Sequence, residues 1–141
     1  MEIREQKEQK CADGAEIISV LTGKVSAKVK IDDIEYIEQE GRKLAIVTAE
    51  KTYTLYGKME SMAACLVGRS FYRPMKSLIV NFDKIDSIEG GVMFFSSGKC
   101  MSIGRNNMTK LKKAYRAFLM KYPPFSFESS SENSPAGEKI E

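Results

Sequence analysis

Arginine and lysine recur at three separated places where the surrounding residues favour turns or strand ends: Arg42-Lys43 after Gly41, Arg73 to Lys76, and Arg105 after Gly104. The middle group is the richest. Ser70-Phe71-Tyr72-Arg73-Pro74-Met75-Lys76 sets basic residues beside aromatic ones, and Leu78-Ile79-Val80 then forms a short apolar block that closes on the turn-favouring Asn81. The order reads as a basic, aromatic loop feeding a buried strand. From residue 61 to residue 82 there is no Asp or Glu, so Arg69, Arg73 and Lys76 meet no carboxylate nearby in sequence and suit an anionic partner. Arg and Lys can read base edges from such loops, and a helix start over Asn106 to Lys110 can hold phosphate through its N–H groups. Each cluster taken alone reads more readily as a solvated face. Their recurrence at loop positions is what favours a nucleic-acid partner.

Other chemistries find little to work with. Histidine is absent, which removes the commonest general base and metal ligand together. A Ser or Cys nucleophile would lack its histidine base, and neither phosphate-binding glycine loop is present, so the chain reads as a non-enzyme with no cofactor. Asp32-Asp33 lacks the spaced oxygen ligands of a calcium loop and reads as a turn. Cys11, Cys65 and Cys100 form no Cys-x-x-Cys pair and read as reduced thiols. No apolar run approaches the roughly 18 residues of a spanning helix, and the first residues lack the apolar core of a secretory signal. A soluble, cytoplasmic protein without a membrane partner is expected. The formal charge of +3 is modest but uneven: between Gly90 and Phe127 there are seven basic residues and no acidic one, whereas acidic residues gather at 32–40 and again in the tail.

The elements that would position the basic sites follow from periodicity. With 141 residues the chain suits one domain with tails. Residues 1–14 alternate charge without an apolar period and read as a flexible arm, and residues 123–141, rich in Ser and Glu after Pro123-Pro124, read as a disordered acidic tail. Between them, residues 15–122 read as a mostly β domain. Glu16 to Leu21 is a strand, Gly23 turns the chain, and Val25, Ala27, Val29 and Ile31 alternate with polar residues. Ile34 to Glu38 follows, with Ile34 and Tyr36 expected on one face. Leu44 to Thr48 and Thr52 to Tyr56 make a hairpin about Ala49-Glu50-Lys51. Met59, Met62, Ala63 and Leu66 then fall at helical spacing before Gly68. Val92 to Phe95 pairs with Cys100 to Ile103 across Ser97-Gly98, and Met108, Leu111, Tyr115, Phe118, Leu119 and Tyr122 stripe a final helix that Asn106 or Asn107 can cap. The result is an antiparallel meander with a short middle helix and a C-terminal helix.

In this order the motifs resemble those of a LytTR-type DNA-binding domain. Asp32-Asp33-Ile34-Glu35-Tyr36-Ile37-Glu38 is similar to the family's Asp-Ile-x-Tyr-Ile-Glu segment, and Gly57 to Met62 to its short helix. Phe71-Tyr72-Arg73-Pro74-Met75-Lys76-Ser77-Leu78-Ile79-Val80-Asn81 is similar to the strongest signature, Phe-x-Arg-x-His-Arg/Lys/Asn-Ser-x-x-Val-Asn. Met101 to Arg105 fits the closing strand with its basic residue. The similarity runs from about Ala15 to Leu119. Met75 departs from it, standing where the family usually has His; a thioether is neither a strong donor nor ionisable, so the histidine's contact is lost or replaced.

The resemblance implies an elongated, LytTR-like antiparallel β fold whose loops enter successive major grooves of double-stranded DNA. Carried over by position, the base-reading candidates are Arg42, Lys43, Lys76 and Arg105, joined in the interface by Arg73, Asn106 and Lys110. Regulators of that family often carry a receiver domain ahead of this module, and the arm before Ala15 is too short to hold one, so a stand-alone transcription regulator is expected, with two copies on tandem repeats and control by abundance or by an unseen regulatory protein. The alternative left open by Met75 is a protein-interaction module that keeps the fold, has lost DNA reading and pairs with another regulator.

Overall fold

Every residue of Leu78-Ile79-Val80-Asn81 is buried, which requires cover on both faces of the sheet that holds it. The computed structural model describes residues 16–123 and shows that cover. The central sheet has five antiparallel strands: β3 (Ile34–Glu40), β4 (Lys43–Thr48), β5 (Thr52–Tyr56), β6 (Phe71–Met75) and β7 (Leu78–Asn81) lie in the order β5-β4-β3-β7-β6. A hairpin of β1 (Ile17–Leu21) and β2 (Ser26–Lys30) precedes it, and β8 (Ile85–Glu89), β9 (Val92–Phe95) and β10 (Cys100–Met101) follow as a smaller antiparallel sheet. Helix α1 (Met59–Cys65) joins β5 to β6, and α2 (Arg105–Leu119) closes the described chain. The fold is mostly β with a middle and a C-terminal helix, as expected.

Strand alternation divides the apolar side chains between two cores. Ile37, Leu44, Ile46 and Ile79 pack with Val20 and Val29 of the first hairpin and with Met59 and Met62 of α1. Leu78 and Val80, pointing the other way from β7, pack with Met93 and Phe95 of β9 and with Met108, Leu111 and Tyr115 of α2. Each such burial stabilises the chain by about 1.5–3 kcal/mol. Tyr115 anchors α2 further: its hydroxyl donates to the Ile85 carbonyl at 2.7 Å, and its ring meets Phe82 at 5.3 Å. That attachment fixes where Arg105, the first residue of α2, must lie.

The structure corrects several local expectations. Ile34 and Tyr36 do not share a face, because the β3–β4 register shifts between them and a β-bulge forms at Glu35. Ile34 therefore joins Ile37 in the first core while Tyr36 packs against the second. Phe71 to Met75 is a strand rather than a loop. It is an edge strand, and Pro74 sits where the β6–β7 register shifts, so its missing N–H interrupts no regular ladder. Neither Asn106 nor Asn107 caps α2; Gly104 is the cap residue and both asparagines lie inside the first turn. Cys65 is disulfide-bonded rather than a reduced thiol, whereas Cys100 is a free, exposed one. The expected arm at 1–14 and nearly all of the tail at 123–141 lie outside the described residues.

Candidate nucleic-acid interface

Sheet register decides which loops meet. Strand β3 pairs with β7 so that Glu38 stands opposite Leu78, and the Gln39 N–H donates to the Ser77 carbonyl at 2.9 Å. The turn after β3, Gly41-Arg42, and the turn before β7, Lys76-Ser77, therefore lie at the same end of the sheet. The third basic site is drawn there by a side chain: Asn107, in the first turn of α2, donates through Nδ2 to the Met75 sulfur at 3.6 Å. Arg42, Lys43, Lys76, Arg105, Asn106 and Lys110 thus share one end of the molecule, and all six are exposed. The Met75 thioether is thus a hydrogen-bond acceptor for α2.

Each basic residue is held differently. Arg42 follows Gly41, whose φ of 65° makes the tight turn accessible to glycine, and the Arg42 carbonyl accepts from the Gly57 N–H at 3.2 Å. Lys43 begins β4 opposite Tyr56, and its ammonium lies 5.4 Å from the centroid of that ring. Arg73 is turned back on its own hairpin: its Nη2 and Nε donate to the Lys76 carbonyl at 2.8 and 3.3 Å, and Nη2 also meets Glu60 Oε2 of α1 at 3.2 Å. Its guanidinium fixes the backbone of the Lys76 turn and leaves the Lys76 side chain pointing to solvent. The Glu60 N–H and Arg73 together hold the Glu60 carboxyl below its usual range. Arg105 opens α2, and its carbonyl accepts from the Thr109 hydroxyl at 3.0 Å.

Among the described residues, no carboxylate lies within ion-pairing distance of Arg42, Lys43, Lys76, Arg105 or Lys110. Glu60, which reaches the Lys76 turn through Arg73, is engaged by that guanidinium. Glu40 stands opposite Lys43 in the β3–β4 register but outside ion-pairing distance, so five cations without an ion-pair partner gather at one end of the molecule, where they can attract a polyanion and present donors to it. Among the described residues no group of three or more metal-ligating side chains is present, and no helix is long and apolar enough to cross a membrane.

Three further residues at this end carry no obvious mark in the sequence. Gln39 is half-buried; its Nε2 donates to the carbonyls of Gly41 and Gly57 at 3.1 Å each, and its Oε1 accepts the Met59 N–H at 3.1 Å. Asn107 holds Met75, as above. Tyr56 is 72% exposed beside Lys43 and offers a ring at the rim of the surface. A polar residue ending a strand ordinarily reads as solvated, so only the fold reveals Gln39.

The family model described as the LytTr DNA-binding domain matches residues 24–116. Among solved structures, the LytTr DNA-binding domain of a Bacillus cereus protein superposes with a TM-score of 0.60 at 20% identity, covering 71% of this chain and 96% of that one. At that identity the likeness concerns the fold. No curated relative matches the sequence.

Proposed function

We propose that this chain, which belongs to the LytTR family of DNA-binding domains, is a transcription regulator that recognises double-stranded DNA by sequence. The basic turns enter the major groove, with Lys76 and Arg105 reading base edges and Arg42 and Lys43 serving an adjacent stretch of groove. Asn106 and Lys110, in the first turns of α2, take phosphate, and Arg73 serves by shaping the Lys76 turn. The observation that carries this reading is the convergence of the three basic sites on one end, by the β3–β7 register and by the Asn107 to Met75 bond. Phosphate contacts would orient the protein, and guanidinium or ammonium donors to guanine would supply the sequence preference.

Two copies on tandem repeats complete the proposal, each copy presenting the same end to its half of the site. Selection from a pool of random duplexes with the purified protein tests both points. Enrichment of a motif repeated at helical spacing is the expected outcome. Recovery of an unenriched pool, with association to a protein partner that ignores DNA, would instead favour the interaction-module reading.

A further inference from the structure

Three turns at the ends of strands are ordinarily free to move against one another, yet readers of one DNA site must keep fixed mutual spacing. Here the turns are joined by a continuous series of side-chain bonds. Gln39 ties the Gly41 carbonyl in the Arg42 turn to the Gly57 carbonyl before α1, and accepts the first N–H of α1 at Met59. From α1, Glu60 grips Arg73, and Arg73 grips the Lys76 carbonyl twice. The neighbouring Met75 then takes the Nδ2 of Asn107, two residues from Arg105. Strand β3 adds a direct backbone tie from Gln39 to Ser77.

We infer that Gln39, Arg73 and Asn107 are positioning residues that couple the Arg42, Lys76 and Arg105 sites into one reading head, with α1 as the strut between the first two. The inference rests on the DNA-recognition reading above. None of the three needs to touch a base for its role. Gln39 is suited to it because an amide both donates and accepts: it holds two carbonyls and one N–H that would otherwise sit at the ends of separate elements. Met75 belongs to the same device, since a sulfur directed at Asn107 links the β6–β7 turn to α2 where a solvent-facing side chain would leave them apart.

The test compares affinity for a selected duplex with affinity for random duplex, so that uniform electrostatic changes cancel. Gln39→Ala and Asn107→Ala are each expected to lower that ratio about 3- to 10-fold, within the lower part of the range of coupling between residues of one network. Random-duplex affinity and its salt slope should stay as in the wild type. Gln39→Glu keeps the size and the acceptor for Met59 but turns a carboxylate on the two carbonyls, and should lower the ratio at least as far as alanine does. Equal losses on both duplexes, or an unchanged ratio in Gln39→Glu, would overturn the coupling.

Amide spectra of the free protein judge the coupling without DNA. Asn107→Ala should shift the amides of Met59 and Glu60, on the far side of Arg73; shifts confined to residues 75–77 and the first turn of α2 would refute it. A wild-type protein that shows no sequence preference defeats the DNA reading alone, and the amide result still decides the network.

Discussion

Salt dependence offers the sharpest quantitative test, because the number of unpaired cations at the proposed interface sets its size. Arg42, Lys43, Lys76, Arg105 and Lys110 are exposed and have no ion-pair partner among the described residues. Each cation that neutralises a phosphate contributes about −0.9 to the slope of log affinity against log salt, so a rise from roughly 50 to 200 mM weakens binding about 3.5-fold per contact. Were all five on phosphates, the slope would be about −4.5 and the loss about 500-fold. With Lys76 and Arg105 on bases, and Arg42 and Lys43 on the phosphates flanking their stretch of groove, three phosphate contacts remain with Lys110, the slope falls to about −2.7, and the loss is about 40-fold.

A fluorescence-anisotropy titration of a selected duplex at several salt concentrations separates these cases. The base-reading assignment predicts that Arg105→Ala loses about 1–3 kcal/mol of discrimination at one base pair, with little change in slope. Lys110→Ala should instead flatten the slope by about 0.9 and weaken all duplexes alike. A wild-type slope shallower than about −1 would remove this end of the molecule from any DNA interface, whatever the sequence preference. A slope reduction of about 0.9 in Arg105→Ala, with base preference intact, would reassign Arg105 to phosphate.

Two further outcomes concern what holds the sheet beneath the site. Glu35 is 1% exposed, and its Oε1 lies 3.5 Å from the Lys99 ammonium, which also donates to the carbonyls of Thr48 and Ala49. Lys99→Met leaves a buried carboxylate without its counter-charge and should destabilise the fold by roughly 1–3 kcal/mol, below the roughly 3–5 kcal/mol for breaking a fully buried pair because Lys99 is partly exposed. Adding Glu35→Gln should recover much of the loss in chemical denaturation; a single variant as stable as the wild type would show that the pair is immaterial. Burial raises the Tyr115 phenol above its ordinary value of about 10, so the folded state retains this proton more tightly than the unfolded chain does. Its contribution is complete below about pH 10 and is lost as pH rises through the folded value. Tyr115→Phe should cost about 1 kcal/mol at neutral pH by orphaning the Ile85 carbonyl, and should narrow the stability difference from wild type in alkali; an unchanged pH profile would refute the role of Tyr115.

What could be read from the sequence was what depends on local periodicity. The Met59, Met62 and Leu66 spacing gave α1, the stripe from Met108 to Phe118 gave α2, and the unbroken apolar run at 78–80 marked a strand buried on both faces. The bulge at Glu35 escaped because period-two alternation carries no sign of an inserted residue. That one insertion sends Ile34 and Tyr36 to opposite cores. The strand at Phe71 to Met75 escaped in another way: its basic and aromatic residues read as a loop, and the edge position that admits Pro74 to a strand is a property of the whole sheet.

The same distinction separates the two kinds of residue at the site. Cations at turns are visible as composition, because exposed charge needs no partner to be recognised. Gln39, Arg73 and Asn107 act through bonds to backbone or sulfur contributed by other elements, the Gln39 bonds spanning 18 and 20 residues and the Asn107 bond 32. Arg73 shows how a sequence reading can find a residue and still leave its task open. Its basic, acid-free neighbourhood suggests a side chain offered to an anion, yet Glu60 reaches its Nη2 from 13 residues earlier and the Lys76 carbonyl takes Nη2 and Nε. A free Arg73 would add one more phosphate contact and one more increment of salt slope; a clasped Arg73 gives its free energy to the shape of the turn that carries Lys76. Arg73→Lys distinguishes the two, since lysine keeps the charge but cannot form the planar, two-nitrogen clasp. Preserved salt slope with relaxed base preference at the Lys76 position is the outcome the clasp requires, and preserved preference would return Arg73 to the phosphate backbone.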